Sequence, residues 1–323
     1  MKRMKFALVF LTVCVSTPGF ALKNIPAYKL ARLKGADAKF ALHVVDDEGV
    51  AVAGAKIRVF MGMNIRENGY WLNGSTGADG VWVLQGKTCG NEIEIGVKKE
   101  GYYDSNVKMS LATMESEHEV KDGKWQPWGA EKMVPLRRIR NRLHPETHGG
   151  AYDIPVTNNW VSFDLMDADW TKPYGKGRVA DVEVKYGWNG AEPLKWVKQN
   201  LTIRYLGNPL NGGYFCETVA ESSFPYSYRA SEVDSKYQRE IKDDMLSSMP
   251  RFGLLDGSHE IIFRIRSVTN EVGELVSCHY GRFRRFDYGL ERSGFGSLML
   301  RYDWNPSSKD VNLEFEKELG KKR

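Results

Sequence analysis

Two histidines and a glutamate lie close together in the segment His144-Pro-Glu-Thr-His148, which is the first place in the chain to look for a metal. A zinc peptidase helix needs histidines four residues apart with a glutamate directly after the first, so that both imidazoles share one helix face. Here Pro145 takes the position of that glutamate, and Gly149 and Gly150 follow. Proline and glycine both oppose a helix, so the segment predicts a solvated linker and no metal site.

Three aspartates, Asp164, Asp167 and Asp169, form a second candidate cluster. A calcium loop of the EF-hand type needs glycine at its sixth position and glutamate at its twelfth. Counted from Asp167, those positions hold Lys172 and Arg178, so the pattern fails. Two carboxylates across a cleft could instead hydrolyse a glycoside, and the sequence does not fix the distance between them. We expect turn and strand-end aspartates here and keep glycan hydrolysis as an alternative.

Nucleophilic catalysis and nucleotide binding find no support in the sequence. There is no Gly-x-Ser-x-Gly motif, and Cys278 and His279 are neighbours in a strand-like run, so their side chains point to opposite faces. The glycines of Gly175-Lys-Gly177 and Gly212-Gly213 lack the remaining spacing of a phosphate loop. The sequence therefore predicts no catalytic residue and no cofactor.

Aromatic side chains offer a better prospect of ligand binding. One stretch interleaves them with Gly, Pro and Asn, at Trp170, Tyr174, Trp188 and Trp196. Exposed rings can stack on the C–H faces of sugars, and the same rings can instead pack a β-sandwich core with one polar tip exposed. The loop of residues 169–177 is constrained by proline and glycine and carries two of these rings. We predict that a carbohydrate, if one binds, contacts these four residues.

Basic side chains are concentrated in two places. The run 135–142 precedes the linker, and we expect it to be a solvated face at a domain junction. The second half contains a group of arginines in strand-like runs, namely Arg264, Arg266, Arg282, Arg284 and Arg285. These could form a patch for an anionic ligand or a charged outer face of a sheet.

The N-terminus has the pattern of a signal peptide. Lys2, Arg3 and Lys5 precede an apolar run at 6–15, and small residues surround Ala21, which predicts cleavage there and a secreted or periplasmic bacterial protein. Cys14 follows Val13 rather than a small residue, which argues against a lipoprotein. The remaining sequence has no apolar run long enough for a transmembrane helix. Removing three basic residues from a formal charge of +5 leaves a nearly neutral mature chain, which gives no basis for nucleic-acid binding.

The mature chain has three cysteines, Cys89, Cys216 and Cys278, in an oxidising compartment. Because the number is odd, one of them is free or pairs between chains. No Cys-x-x-Cys spacing is present, which excludes zinc ribbons and thioredoxin-like sites. We predict a Cys216–Cys278 disulfide, since both residues lie in strand-like runs of the same half.

Apolar residues alternate with polar ones along short segments separated by Gly/Asp turns, as at residues 39–44, 55–59 and 92–98. This period of two is typical of an antiparallel β-sandwich. Three segments, at 47–59, 75–82 and 97–103, resemble the carboxypeptidase regulatory-like domain over residues 38–140. That resemblance implies a transthyretin-like sandwich, acting as a folding or binding module, and no catalytic residue.

The second half is also strand-rich, from Trp160 to Phe315, with one candidate helix at 235–249 that ends before Pro250. Its phrases at 169–177 and 304–315 are similar to uncharacterised secreted bacterial proteins. We therefore predict an all-β chain with a signal peptide (1–21), a first sandwich (22–140), a linker (141–150) and a larger, jelly-roll-like second sandwich (151–323).

The sequence favours a non-enzymatic binding or surface-associated module whose partner is a glycan or another envelope protein. The alternatives are a glycan hydrolase that uses carboxylates of the second domain, and a structural envelope or adhesion component. Paired acids in a cleft would favour the hydrolase, an aromatic strip the binder, and an exposed edge strand the assembly component.

Overall fold

The computed structural model describes residues 25–62, 69–90, 92–111, 120–189, 197–206, 212–219, 222–247, 251–253, 255, 258–291 and 294–316. The predicted signal peptide, Cys14 and Trp196 lie outside these ranges. The described chain is almost entirely β and folds into several sheets, which confirms the all-β sandwich-like class. Within these ranges, no helix has the length and apolar character that crossing a membrane requires.

Residues 36–136, here called the N-terminal unit, form two sheets. Their strands are β1 (Ala36–Asp46), β2 (Lys56–Met61), β3 (Tyr70–Ser75), β4 (Val81–Thr88), β5 (Glu92–Lys98), β6 (Ser105–Ser110), β7 (Val120–Lys121), β8 (Lys124–Trp125) and β9 (Ala130–Leu136). The first sheet has the order β4-β1-β8-β7, with β9 parallel to β1, and the second has the order β3-β2-β5-β6.

The period of two sets the core of this unit. In β1, Phe40, Leu42 and Val44 are fully buried, while the residues between them face the outside. The turn after β1 depends on Asp46, whose Oδ1 accepts hydrogen bonds from the backbone N–H of Glu48 (3.0 Å) and Val50 (2.8 Å). The strand pattern read from the sequence is therefore confirmed in this region.

One helix, α1 (Ala27–Lys34), precedes the sheets and was not expected. Its signals are local: Pro26 directly precedes its first turn, and Gly35 follows its end at φ 78°. The helix buries little more than Ala31, so its hydrophobic pattern is too short to be distinguished from a loop in the sequence.

Residues 146–304, here called the C-terminal unit, form the other two sheets. Their strands are β10 (Glu146–Asp153), β11 (Trp160–Asp164), β12 (Asp169–Trp170), β13 (Val182–Asn189), β14 (Val197–Tyr205), β15 (Gly213–Thr218), β16 (Glu240–Ser247), β17 (Arg251–Gly253), β18 (His259–Thr269), β19 (Leu275–Leu290) and β20 (Gly296–Trp304). One sheet has the order β10-β20-β19-β18-β15, with β17 on β19, and the other has the order β12-β11-β13-β14-β16.

Two sequence predictions are wrong here. Residues 146–150, expected to be linker, begin β10, because this glycine-containing segment pairs along its whole length with β20. The candidate helix at 235–249 is instead a 3-10 turn at Asp234–Lys236 followed by β16. Ile241 pairs with Ile203 of β14, and that sheet contact outweighs the weak helical periodicity.

A covering layer of irregular chain packs on the outer face of the β19 sheet. Val311, Leu313 and Phe315 alternate inward and are buried, although the expected strand there forms only isolated bridges. Arg282 lies fully buried beneath this layer, with Nη1 3.3 Å from Glu260 Oε2 and its guanidinium 4.7 Å from the Phe315 ring centre. Arg282 therefore belongs to the core and not to a ligand patch.

The two units meet at a junction of arginines and aromatic rings. The guanidinium of Arg137 lies 4.2 Å from the Tyr228 ring centre, and that of Arg140 lies 4.6 Å from the same ring. Tyr103 of the N-terminal unit stacks on Phe224 of the C-terminal unit, with ring centres 4.6 Å apart. Arg137 and Arg140 of the basic run therefore contact the C-terminal unit, whereas Arg138, which is also exposed, pairs with Asp46 of the N-terminal unit.

Glu314 is the polar centre of this junction and is only 1% exposed. Its carboxylate accepts hydrogen bonds from the Tyr103 hydroxyl (3.0 Å), from the backbone N–H of Arg140 (2.8 Å) and from that of Asn141. Burial and the negative charge of Glu314 raise the pKa of Tyr103 to about 12, despite the nearby Arg142. Tyr103 is therefore a protonated donor at neutral pH.

Candidate functional site

Residues 169–178, here called the Tyr174 loop, leave the end of β12 and return beside it. Asp169 holds the backbone of this loop, with Oδ1 accepting from Trp170 N–H (2.8 Å) and Oδ2 from Lys176 N–H (2.9 Å). A Cβ atom at Gly175 would lie 2.2 Å from the Trp170 carbonyl oxygen, so only glycine fits there. The loop therefore has one defined backbone conformation without a contribution from any ligand.

Asp164 fixes the base of the loop from below and is fully buried. Its Oδ1 accepts from the backbone N–H of Met166 and Asp167, each at 2.9 Å, and its Oδ2 from those of Arg178 and Val179, also at 2.9 Å. A carboxylate with this many backbone donors is an organiser of turns. This agrees with the expectation that the aspartates shape turns.

Arg266 completes the support from the opposite sheet. It lies at φ 52°, at the bulge where β18 changes register against β19. From there its Nη2 reaches Asp164 Oδ1 at 2.6 Å, and its Nε reaches Asp181 Oδ1 at 3.1 Å. Burial raises the pKa of Asp181 in spite of this arginine. A left-handed backbone at an arginine is strained, and here it directs the side chain across the sandwich.

Asp167 lies on the outer side of the same turn and pairs with Arg178. The arginine donates from Nη2 to Oδ1 at 2.6 Å and from Nε to Oδ2 at 2.7 Å, which lowers the pKa of Asp167 to about 2. The described residues contain no group of three or more His, Cys, Asp or Glu side chains placed to hold a metal ion.

The structure separates the four aromatic residues predicted from the sequence. Trp170 is only 5% exposed and packs edge-to-face on Phe163, with ring centres 5.1 Å apart, so it plugs the core. Tyr174, at 49% exposure, stands at the surface of the loop. Trp188 is half-buried near the far end of β13, roughly 20 Å along the strand from the loop end, given ~3.3 Å per residue. Trp196 lies outside the described residues, so the structure brings together only Trp170 and Tyr174.

The arginine group of the second half does not form a surface patch either. Arg264, like Arg282, is fully buried, and its Nη2 lies 2.6 Å from Asp234 Oδ1. Arg284 contacts Asp303 (2.7 Å), and Arg285 contacts Asp287 (2.5 Å). Each arginine therefore has a carboxylate partner. Asp287 lies two residues from Arg285 on β19, and the other partners lie on strands or turns that the sequence does not connect with the arginines.

The predicted disulfide is absent, and Cys89, Cys216 and Cys278 are all free thiols. Cys216 pairs with Ile261 of β18, and Ile261 pairs with Phe283 of β19, so a whole strand separates the two predicted partners. Two strand spacings amount to roughly 10 Å, beyond the ~7 Å limit between the Cα atoms of a disulfide. Cys216 is exposed, whereas Cys278 is buried.

Tyr174 has two basic neighbours that the sequence reasoning did not single out. Lys172 and Lys176 are exposed on the same loop, and no described carboxylate lies within ion-pair distance of either. Their signal in the sequence is the spacing Lys-Pro-Tyr-Gly-Lys, which surrounds the tyrosine with basic residues on a glycine-constrained turn.

No family model and no curated protein matches the chain. Among solved structures, a catechol 1,2-dioxygenase mutant of Acinetobacter radioresistens is 12% identical over 33% of this chain and 53% of that chain, with a TM-score of 0.26. A DUF3823 family protein of Parabacteroides merdae is 8% identical over 86% and 100%, and BcpA, the major pilin subunit of Bacillus cereus, is 10% identical over 82% and 68%, both with TM-scores of 0.23.

The chain spans about half the length of the dioxygenase it matches. Similarities at this level carry no information about activity or partners. The resemblance of residues 38–140 to the carboxypeptidase regulatory-like domain stays a prediction.

Proposed function

We propose that the chain is an exported, non-catalytic binding module whose Tyr174 loop holds a glycan bearing carboxylate or phosphate groups. The observation that carries this proposal is a half-exposed tyrosine ring, flanked by two exposed lysines, on a loop whose backbone is fixed by buried carboxylates.

The chemistry of the loop suits a sugar. The face of the Tyr174 ring offers a flat apolar surface for sugar C–H groups, and the phenol offers a hydrogen-bond donor and acceptor. Lys172 and Lys176 add two positive charges without carboxylate partners among the described residues. Because the loop is already ordered, binding of a ligand does not incur the entropic cost of ordering it. An acidic glycan uses all three side chains.

The carboxylates around the loop favour binding over hydrolysis. A glycosidase needs two acids that face the substrate, one of them free to give a proton. Here Asp164 and Asp169 accept backbone hydrogen bonds, Asp167 pairs with Arg178, and Asp181 pairs with Arg266. We therefore assign these acids to the positioning of the loop.

The test is a titration of the mature chain with oligogalacturonate and, in parallel, with a neutral cello-oligosaccharide, followed by calorimetry and amide chemical shifts. We expect binding of the acidic oligomer that weakens with salt, and a loss of at least about tenfold in Tyr174→Ala and in the Lys172→Ala/Lys176→Ala double variant. Phe295→Ala is the matched control. Phe295 is also exposed, but it directly precedes the first residue of β20, at the end of that strand away from the Tyr174 loop.

Two results would contradict the proposal. One is equal binding by the Tyr174→Ala and Phe295→Ala variants. The other is hydrolysis of the oligomer into shorter products, which would favour the glycan hydrolase alternative. The N-terminal unit would serve as an accessory folding or binding module, which is what its resemblance to the carboxypeptidase regulatory-like domain implies.

A further inference from the structure

The strand β3 is an unprotected sheet edge. It is the terminal strand of its sheet and pairs only with β2 among the described strands. Its sequence, Tyr-Trp-Leu-Asn-Gly-Ser, contains no charged residue and no proline. Every other terminal strand in the described part of the chain carries at least one charged residue: Lys87, Lys108, Lys121, Glu131, Glu146, Asp169, Glu217, Lys242 and Arg251. Charges at an edge prevent pairing with another chain, and β3 lacks this protection.

The hydrogen-bond phase of the sheet determines which backbone groups of β3 are free. The N–H of Thr76 donates to the carbonyl oxygen of Ala55 on the chain leading into β2, at 3.0 Å. Residues of an antiparallel strand bond alternately to one side and the other, and the β2–β3 register runs on without a shift. The backbone N–H and C=O groups of Trp71, Asn73 and Ser75 therefore point away from β2.

Two aromatic side chains, Tyr70 and Trp71, are exposed at this edge. Trp71 is 43% exposed and Tyr70 36%, and Val83 on the neighbouring terminal strand β4 is also exposed. The Arg58 guanidinium lies 3.8 Å from the Trp71 ring centre, and the Phe60 ring centre lies 5.0 Å from it. The tryptophan is thus held in one orientation beside the open edge.

We propose that β3 pairs with β3 of a second copy of this chain, antiparallel and with the two-fold axis at Asn73. The three outward-facing residues are symmetric about Asn73, so this register satisfies all six of their backbone groups in each copy. Trp71 then lies opposite Ser75 of the second copy, and Leu72 opposite Gly74, so no like charges meet. This inference does not depend on the Tyr174 loop.

Self-complementarity is what selects a second copy at β3. β10 is another exposed edge, but antiparallel self-pairing along its full length would place Glu146 opposite Asp153. Like charges directly opposite each other destabilise a strand pair. The chain therefore disfavours self-pairing at β10 and leaves it open at β3.

The test is sedimentation velocity of the mature chain from about 1 μM to about 1 mM, with amide hydrogen exchange at both ends of the series. We expect a concentration-dependent dimer and slower exchange of the Trp71, Asn73 and Ser75 amides in it. Asn73→Pro removes the central donor, whose N–H faces outward, so the β2 ladder stays intact and dimerisation weakens by at least about tenfold. Asn73→Lys places two ammonium groups opposite each other and tests the same contact if the proline variant fails to fold.

Ala151→Lys on β10 is the matched control, because it adds the same charge to the other exposed edge, and it should leave the dimer unchanged. A chain that stays monomeric throughout the series overturns the proposal. A dimer that persists in the Asn73 variants also overturns it. If the dimer is instead lost in Ala151→Lys, the contact lies on β10 and the proposal is wrong.

Discussion

The replacement Glu314→Ala tests how the two units are joined. Glu314 accepts from one hydroxyl and two backbone N–H groups of the N-terminal unit and its connecting segment, and its side chain is buried. Removing the carboxylate takes away every one of these acceptor contacts at once. The alanine keeps the strand-like backbone that orients Leu313 and Phe315, so the change is confined to the junction.

The magnitude follows from the number and kind of these bonds. A hydrogen bond to a charged acceptor contributes about 1.5–3 kcal/mol, so three of them set an upper limit of roughly 5–9 kcal/mol. Arg140 and Asn141 are otherwise exposed, so water can reach their N–H groups once the carboxylate has gone. We therefore expect a loss of about 2–4 kcal/mol in the free energy of unfolding.

Urea denaturation of the mature chain, followed by tryptophan fluorescence, measures this loss. Glu316→Ala is the matched control, because Glu316 makes only a surface contact with His144 at 3.2 Å, and it should change the stability by no more than about 0.5 kcal/mol. If Glu314→Ala lowers the free energy of unfolding as little as Glu316→Ala does, the Glu314 carboxylate does not stabilise the junction between the two units.

Three further predictions concern single residues. Trp170→Ala should cost about 3–5 kcal/mol in urea denaturation, because the ring fills the core. Gly80→Ala should cost more than Gly101→Ala in thermal unfolding. Both glycines have positive φ, but only a Cβ atom at position 80 would lie 2.8 Å from the Val44 carbonyl oxygen. Burial opposes ionisation of Asp46, but its hydrogen bonds outweigh burial and lower its pKa below 3.8, so it stabilises the fold above that pH. Acid titration from about pH 5 to about pH 2 should therefore destabilise wild type more than Asp46→Asn.

The strands were the most predictable part of the structure, because they depend on local alternation. The second half was expected to be strand-rich from Trp160 onward, and β11 begins at that residue. The alternating segment 39–44 lies within β1. The prediction of a helix at 235–249 was wrong because the apolar residues of this segment show only a weak helical or strand periodicity. The segment forms β16 instead, and its partner strand β14 lies more than 30 positions earlier in the chain.

The partners of charged residues were the least predictable part. Nothing local in the sequence pairs Arg266 with Asp164, or Glu314 with Tyr103, since each contact joins residues that are far apart in the chain. The same limit explains why the disulfide prediction was wrong. That Cys216 and Cys278 both lie in the second half of the chain does not reveal that the two strands carrying them are not neighbours in the sheet. Sequence patterns identify which residues face inward, and only the sheet order determines what they meet there.

The two proposals together make one prediction that neither makes alone. A dimer through β3 carries two Tyr174 loops, each connected to its own β3 through the junction around Glu314. A long acidic polymer that spans both loops would then bind by two contacts, with the second made at high effective concentration. Such a polymer should bind wild type at least about tenfold more tightly than it binds Asn73→Pro, whereas a short oligomer should bind both proteins equally.

Calorimetry with polygalacturonate and with its trimer, at a protein concentration where the wild type is dimeric, measures both ratios. Equal polymer affinity in the two proteins would mean that the loops of a dimer cannot be reached by one chain, even if each binds sugar.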